Sequence, residues 1–156
     1  MASPRLSTGR FSQSGAYYVV TTVSFARKPL FVESPVAAAV IAELERAAQE
    51  TSANSVAWVL MPDHLHWLLE LKNETLSRCL QRFKSRSARA VNALRGTSGA
   101  VWQPGFYDHH LRSEHDLVAQ ARYLIANPLR AGLVSRVEEY PYWGCRWMAG
   151  DGNLIL

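Results

Sequence analysis

Two of the five histidines of this chain stand one residue apart, in the stretch MPDHLHWLLE that begins at Met61. Alternate side chains of a β-strand share a face, so we expect His64 and His66 on one side, with α-carbons roughly 6.5 to 7 Å apart. Two imidazoles at that separation can converge on one metal ion. An isolated His-x-His pair is short and common, however, and two ordinary histidines on a solvated sheet face are the alternative.

A predicted helix later in the chain adds two further reactive side chains. We expect it to start at Ser113, which with Asp116 resembles a capping box, and to run to Asn127, where Pro128 discourages continuation. An apolar stripe follows one face, and a different face carries Asp116, Gln120, Tyr123 and Asn127. Tyr123 and Asn127 therefore have the chemistry of a nucleophile and a third metal ligand. A surface tyrosine whose ring covers a neighbour is the alternative.

Arginine recurs along another predicted helix, which spans Thr75 to Leu94 and ends at the glycines of GTSG. Its basic side chains recur at helical spacing beside the apolar face: Arg78, Arg82, Arg86 and Arg89, with Lys84 nearby. A basic ridge of this length can contact several phosphates of a nucleic acid strand, although many charged helix faces are only solvated. The formal net charge of +4 is a mild excess that favours an anionic partner.

The remaining segments predict the strands and the first helix of the domain that carries these side chains. Runs rich in β-branched and aromatic residues predict strands, and an alanine-rich segment with helical spacing of apolar residues predicts the first helix. The predicted strands are Tyr17 to Phe25, Asn54 to Met61, His64 to Leu71 and Val101 to Leu111, and the first helix is Pro35 to Glu50. The sequence therefore predicts an α+β fold, a ferredoxin-like sandwich with helices backing an antiparallel sheet.

Length and composition favour one compact domain. A chain of 156 residues with 48% hydrophobic residues can bury a real core but is too short for two comfortable domains. We expect a flexible N-terminal lead, residues 1–15, followed by a single domain, residues 16–156, with a packed aromatic tail. Cys79 and Cys145 match no paired metal spacing and no apolar segment reaches the length of a bilayer span, so we expect a cytoplasmic setting.

Three motifs carry a resemblance to a known family: MPDHLH from Met61, VWQPGFYDHHLR from Val101 and YLIANPLRAGLV from Tyr123. In order and spacing they resemble the HUH single-tyrosine transposases of the IS200-like family, specifically the branch of REP-associated tyrosine transposases. The resemblance covers nearly the whole chain and implies a ferredoxin-like HUH domain. One departure is Asp63, which stands where Asn is frequent in the family.

The resemblance also implies roles for four residues. His64 and His66 match the metal-binding pair, Tyr123 matches the nucleophile, and Asn127 matches the polar residue that completes the metal site. The implied cofactor is a divalent cation, Mg²⁺ or Mn²⁺. The implied substrate is single-stranded DNA near imperfect hairpins, and cleavage would leave a 5′-phosphotyrosine linkage and a free 3′-hydroxyl.

Two rival functions stay open at this point. A domesticated protein could bind hairpin DNA through Arg78, Arg82, Lys84, Arg86 and Arg89 and cut weakly or never. A metal hydrolase could use His64 and His66 to activate water, with Tyr123 as a bystander. Some insertion-sequence relatives are dimers with shared active sites, whereas a monomer is favoured for this branch and a homodimer is the alternative.

Overall fold

The computed structural model describes residues 15–111 and 116–147. Nearly all of the predicted N-terminal lead, Ser113 of the predicted capping box and the end of the tail lie outside the described residues. Among the helices that are described, none is both long enough and apolar enough to cross a membrane.

Within residues 15–111 and 116–147, five antiparallel strands form one central sheet. They are β1 (Tyr17–Val23), β2 (Asn54–Met61), β3 (His64–Glu70), β4 (Tyr107–Leu111) and β5 (Trp143–Cys145). Their spatial order is β4-β1-β3-β2-β5, and every neighbouring pair is antiparallel. The hairpin β2–β3 turns at Pro62 and Asp63, as turn residues between two apolar runs predict. The order of the first four strands is that of the predicted ferredoxin-like sandwich.

Four α-helices of the described residues accompany the sheet: α1 (Ser34–Glu50), α2 (Leu76–Arg95), α3 (Leu117–Ile125) and α4 (Asn127–Arg130). Pro35 lies in the first turn of α1, where its missing N–H has no helical partner to lose. The Thr75 side chain accepts a hydrogen bond from the Arg78 N–H and so caps α2. Gly96 ends α2 with a left-handed φ of 66°, which glycine adopts at little cost. Because these signals are local, the predicted bounds of α1 and α2 lie within a residue of the observed ones.

The sheet separates two layers of helices. Leu65, Trp67 and Leu69 of β3 belong to the core beneath α1 and α2, whereas Leu68 belongs to a second core beneath α3. Both faces of β3 are therefore covered, and alternate residues enter different cores. The histidine pair lies on the side of the sheet that α3 covers.

The predicted strand from Val101 to Leu111 is only half correct, because the ladder begins at Tyr107. The preceding residues form a loop that is fixed to α2 and β1. Trp102 makes an isolated bridge with Ser24, and its indole N–H donates to Ser87 Oγ over 2.9 Å. The aromatic residues of this loop are therefore core, since Trp102 and Phe106 are buried.

The predicted third helix ends two residues early, at Ile125 rather than Asn127. A single turn residue follows, and α4 then begins at Asn127 with Pro128 in its first turn. Proline therefore interrupts the helix without ending the helical path, because a first turn tolerates a missing N–H. The tail packs as expected, and Tyr140 OH donates to Leu60 O over 2.5 Å, but the short edge strand β5 had not been predicted.

Candidate active site and nucleic-acid interface

The two histidines lie on the sheet face that α3 covers. They alternate with Leu65 and Trp67, which face the other core, and share the side of Leu68. Their ring centroids are 4.7 Å apart and the ring planes meet at 82°. Both rings are half-buried, so the shared face that the strand period predicts is packed rather than solvated.

Asp63 orients the ring of His64. His64 Nδ1 donates to Asp63 Oδ1 over 2.7 Å, and an Nη of Arg27 lies 3.6 Å from the second carboxylate oxygen. Since a carboxylate only accepts, Nδ1 carries the proton and Nε2 of the neutral ring keeps its lone pair for a ligand. Ala26 and Arg27 have φ angles of 56° and 53°, a conformation that costs free energy in residues other than glycine and is frequent near functional sites.

Thr21 of β1 orients the ring of His66. The two residues are partners in the β1–β3 register, and Thr21 Oγ1 lies 2.8 Å from His66 Nδ1. A hydroxyl can donate or accept, and in the tautomer whose Nδ1–H donates to Thr21, Nε2 is again the nitrogen left to bind. Burial, then the nearby charges of His64 and Arg130, lower the pKa of His66 to about 3. His66 is therefore neutral at physiological pH, which is the form that a metal ligand requires.

Tyr123 lies on the outer face of α3. The predicted apolar stripe is buried as expected: Leu117, Ala121, Leu124 and Ile125. Tyr123 is 63% exposed, as its displacement from that stripe predicts. Because α3 packs over β2 and β3, Tyr123 is carried on the same side of the sheet as the two imidazoles, and its exposure leaves it open to a large substrate.

Pro128 determines which way the side chain of Asn127 points. A proline has no N–H to give to the carbonyl four residues earlier, which here is that of Leu124. Asn127 Nδ2 donates to Leu124 O instead, over 2.9 Å. Since a carbonyl accepts only from the amide nitrogen, this bond identifies Nδ2 and leaves Asn127 Oδ1 as the atom that can ligate a cation. The Asn-Pro pair thus orients a carboxamide oxygen, which is a suitable ligand for a divalent cation.

Arg130 lies against the Tyr123 ring. Its guanidinium carbon is 3.7 Å from the centroid of that ring, and its charge, after burial and His64, contributes to lowering the pKa of His66. Sequence reasoning had missed this residue. The available signal was its spacing, because Arg130 follows Tyr123 by seven residues and Asn127 by three, which keeps all three on one face.

The donor atoms at this face fit a divalent cation of intermediate softness. His64 and His66 offer Nε2 atoms whose rings are already oriented, and Asn127 offers a carboxamide oxygen. Within residues 15–111 and 116–147, no three His, Cys, Asp or Glu side chains cluster into a metal site. A site here would therefore depend on the two imidazoles and the amide oxygen, and its position as a metal centre stays a prediction.

The side chains of the predicted basic ridge line one groove on the surface of α2. The groove has a volume of about 410 Å³ and is lined by Arg78, Gln81, Arg82, Ser85, Arg86 and Arg89. Glu50 at the end of α1 is bonded to Arg86 and lies 3.8 Å from Arg82. Glu74 pairs with Arg78 over 3.0 Å. Acidic residues therefore already partner much of the ridge, which lies on the opposite side of the sheet from α3.

Lys84 lies on the other side of α2 from this groove. Its ammonium donates to Gln103 O over 2.7 Å and to Gly105 O over 2.6 Å. Burial lowers the pKa of Lys84 to about 8, so the two carbonyl acceptors hold a partly desolvated charge. This lysine fixes the loop before β4, and the prediction that it contacts DNA stays a prediction.

His109 and His110 of β4 face opposite ways. His110 pairs in register with Tyr18 and its ring stacks on that of Tyr18 at 5.1 Å, on the side of α1 and α2. His109 pairs with Val19, which packs against the core beneath α3. One of the two therefore shares the face of the histidine pair and the other does not, as the alternation of a strand requires.

Comparison with protein families identifies the family of this chain. A family model described as "Transposase IS200 like" matches residues 12–124, which is most of the chain. The chain therefore belongs to the IS200-like transposase family. The matched range includes His64, His66 and Tyr123 and ends before Asn127 and Arg130.

Two relatives narrow the comparison. A stretch of 88 residues is 28% identical to the REP-associated tyrosine transposase of Escherichia coli K12, covering 55% of this chain and 50% of that protein. A Haemophilus influenzae protein assigned to the REP-associated tyrosine transposases is 23% identical over 147 residues, covering 85% of this chain and 80% of its own length. The resemblance to this branch is confirmed, although the chain spans only half the length of the E. coli relative.

Two solved structures share the fold. One is a REP-associated tyrosine transposase bound to a REP hairpin, with a TM-score of 0.72, 21% identity, and coverage of 92% of this chain and 82% of that one. The other is a Deinococcus radiodurans protein assigned as a transposase, with a TM-score of 0.55, 22% identity, and coverage of 76% and 95%. The predicted α+β sandwich is confirmed.

Acid should destabilise the metal-free protein through His66. The unfolded chain binds a proton at this residue near pH 6.5, whereas the folded protein does so only near pH 3. The free energy of unfolding is therefore not reduced by this residue above pH 6.5. It falls by on the order of 4 kcal/mol as the pH drops from 6.5 to about 3. Urea unfolding at a series of pH values with a chelator present measures this slope.

His66→Gln should flatten the acid slope, whatever its stability at neutral pH. His110→Gln is the matched control, because His110 is exposed on the other side of the sheet, and it should keep the slope of the natural protein. An identical slope in the His66 variant would contradict the buried neutral state of this imidazole.

Proposed function

We propose that this chain is a metal-dependent endonuclease and strand-transferase that acts on single-stranded DNA at hairpin-forming repeats through a 5′-phosphotyrosine intermediate. Membership of the IS200-like transposase family supports a transposase, and the solved neighbour named as bound to a REP hairpin supports hairpin DNA as the partner. One observation carries the proposal. His64 and His66, with both Nδ1 atoms engaged, share a sheet face with the helix that bears Tyr123.

Tyr123 would supply the nucleophile. Its phenol oxygen bonds to the scissile phosphorus while the bond from phosphorus to the 3′-oxygen of the preceding nucleotide breaks. The phenol loses one proton and the departing 3′-oxygen gains one, so a 5′-phosphotyrosine and a free 3′-hydroxyl remain. Because one ester replaces another, a second 3′-hydroxyl can attack the phosphotyrosine and join strands without ATP.

His64, His66 and Asn127 would hold the divalent cation, Mg²⁺ or Mn²⁺, through two Nε2 atoms and one Oδ1. When bound, the ion polarises the phosphate and offsets its charge during ester exchange. Two nitrogen donors favour Mn²⁺ over Mg²⁺. Asp63 and Thr21 hold the rings in place beforehand, so little side-chain freedom is left to lose on binding.

The basic groove of α2 would bind the duplex stem of a hairpin. Four arginines on one helix face can contact successive phosphates without reading bases. Because this groove and Tyr123 lie on opposite layers of one chain, the single-stranded flank would pass around an edge of the sheet to reach the nucleophile. A monomer carries both surfaces, which supports a monomer as the working unit.

Tyr123→Phe should abolish a covalent adduct with DNA. Incubation of the protein with labelled hairpin DNA that has a single-stranded flank, in the presence of Mn²⁺, should give a band that survives denaturation. The phenylalanine variant lacks only the attacking oxygen, so the band should be lost. Tyr107→Phe is the matched control, because Tyr107 lies beside Thr21 in the β1–β4 register, and it should retain the adduct.

The products of this assay also separate the rival functions. Free cleavage products that survive Tyr123→Phe would identify a hydrolase that uses water. Tight binding of the hairpin with no cleavage under any divalent cation would identify a binding protein that has lost transposase activity.

Asp63→Ala should weaken Mn²⁺ binding by about tenfold, because the second bond of a ligating imidazole fixes its tautomer and raises its basicity. Titration of free Mn²⁺ by electron paramagnetic resonance, without DNA, measures this affinity directly. Glu33→Gln, which removes an exposed carboxylate at the start of α1, is the control for the change of charge. Equal loss of affinity in both variants would reduce the role of Asp63 to its charge alone.

Glu50→Gln should raise the affinity for hairpin DNA and steepen its dependence on salt. Glu50 now partners Arg82 and Arg86, and removal of its charge frees both for phosphates. Arg82→Ala and Arg86→Ala should do the opposite and leave Mn²⁺ binding unchanged. Glu45→Gln, at an exposed site on the same helix, is the control. A salt slope that none of these changes alters would exclude α2 from the DNA interface.

A further inference from the structure

A guanidinium covers the face of the candidate nucleophile. The Cζ atom of Arg130 lies 3.7 Å from the centroid of the Tyr123 ring, which is direct face-on contact. Tyr123 is among the most exposed large hydrophobic side chains of the described residues, so it has little core packing to fix its ring. The contact with Arg130 therefore bears directly on where the phenol oxygen points.

The backbone brings the two residues together across the break between α3 and α4. Ala126 N donates to Arg122 O over 3.1 Å, and Arg130 N donates to Ala126 O over 3.0 Å. These bonds carry the helical path through the Asn-Pro pair, so a residue seven positions after Tyr123 returns to the same side. The backbone thus places Arg130 on the same side as Tyr123, and the length of its side chain lets the guanidinium reach the ring.

Arg130 also follows Asn127, the third proposed metal ligand, by three residues, which is close to one helical turn. The guanidinium therefore belongs to the side of α3 and α4 that carries both Tyr123 and Asn127. A planar guanidinium can stack through its face and still direct N–H groups from its edge toward a phosphate. Arg130 thus has two surfaces available at the place where nucleophile and phosphate would meet.

We propose that Arg130 is the positioning residue for Tyr123 in strand transfer. Its stacked guanidinium fixes the direction of the exposed phenol and keeps a positive charge beside the oxygen and phosphate that react. This role rests on the proposed function of Tyr123. It goes beyond that function because it assigns a residue outside the range matched by the family model.

The test separates the rate of adduct formation from DNA affinity. Single-turnover formation of the Tyr123 adduct should slow by about tenfold or more in Arg130→Ala, since a misdirected nucleophile loses both orientation and charge stabilisation. Affinity for the same hairpin, measured in a Tyr123→Phe background that cannot react, should change far less. Arg130→Lys should recover part of the rate, because it keeps the charge but loses the planar stack.

Arg122→Ala is the matched control. Arg122 is exposed on the same helix and adjacent to Tyr123, and its removal should leave the rate of adduct formation unchanged. A rate that survives Arg130→Ala would overturn the inference, as would an equal loss of rate in both alanine variants. A loss that appears entirely in affinity would also overturn it, because Arg130 would then be an ordinary phosphate contact.

A second measurement requires no activity. In the free protein, ring currents from Tyr123 should shift the side-chain protons of Arg130 upfield, and Tyr123→Leu should remove that shift while Tyr123→Phe keeps it. Unshifted protons in the natural protein would contradict the stack in solution. If the natural protein forms no Tyr123-dependent adduct, the proposed function and this role fail together. An adduct with an unaffected rate in Arg130→Ala removes this role alone.

Discussion

The packing of α3 across β2 and β3 is the interaction on which the candidate site depends. Four side chains on one stripe of this short helix are buried: Leu117, Ala121, Leu124 and Ile125. Each contributes roughly 1.5 to 3 kcal/mol relative to exposure, apart from the smaller alanine, so the rotation of the helix about its own axis is fixed. With that rotation fixed, the 100° spacing of successive residues sends Tyr123 outward. A rotation by one residue would place the phenol in the core and expose an isoleucine or a leucine.

The orientation of the histidine pair depends on the packing on both faces of the sheet. Leu65 and Trp67 anchor β3 to the core of α1 and α2, and this anchoring is what forces the two imidazoles toward α3. A slip of one residue in the register would reverse both faces and bury the histidines among leucines. The β1–β3 pairing excludes such a slip, since it also sets Thr21 opposite His66. The metal-ligand geometry proposed for the site is therefore protected by the same contacts that stabilise the fold.

Features with a local or periodic cause could be predicted from the sequence, and features with a distant cause could not. The shared face of His64 and His66 follows from the strand period, and α2 follows from Thr75 and Gly96 at its ends. The partners of Lys84 lie in a loop about twenty residues away in the sequence. The strand β5 has only three residues, and no local sequence pattern indicates its pairing. The orientation of the Asn127 carboxamide is an intermediate case. The missing N–H of Pro128 was visible in the sequence, but the bond from Asn127 to the freed carbonyl was not inferred.

The proposed donor set is electrically neutral, and this decides what the site can attract. Two neutral imidazoles and a carboxamide do not reduce the charge of a divalent cation, and the nearest carboxylate, Asp63, acts through His64 rather than as a ligand. Arg130 adds a further positive charge close to His66. Such a site holds a cation weakly by itself, because like charges oppose its entry, and holds it better once an anionic phosphate is present. Cation and DNA binding should therefore favour one another, because the positive cation and the negative phosphate attract each other at the shared site.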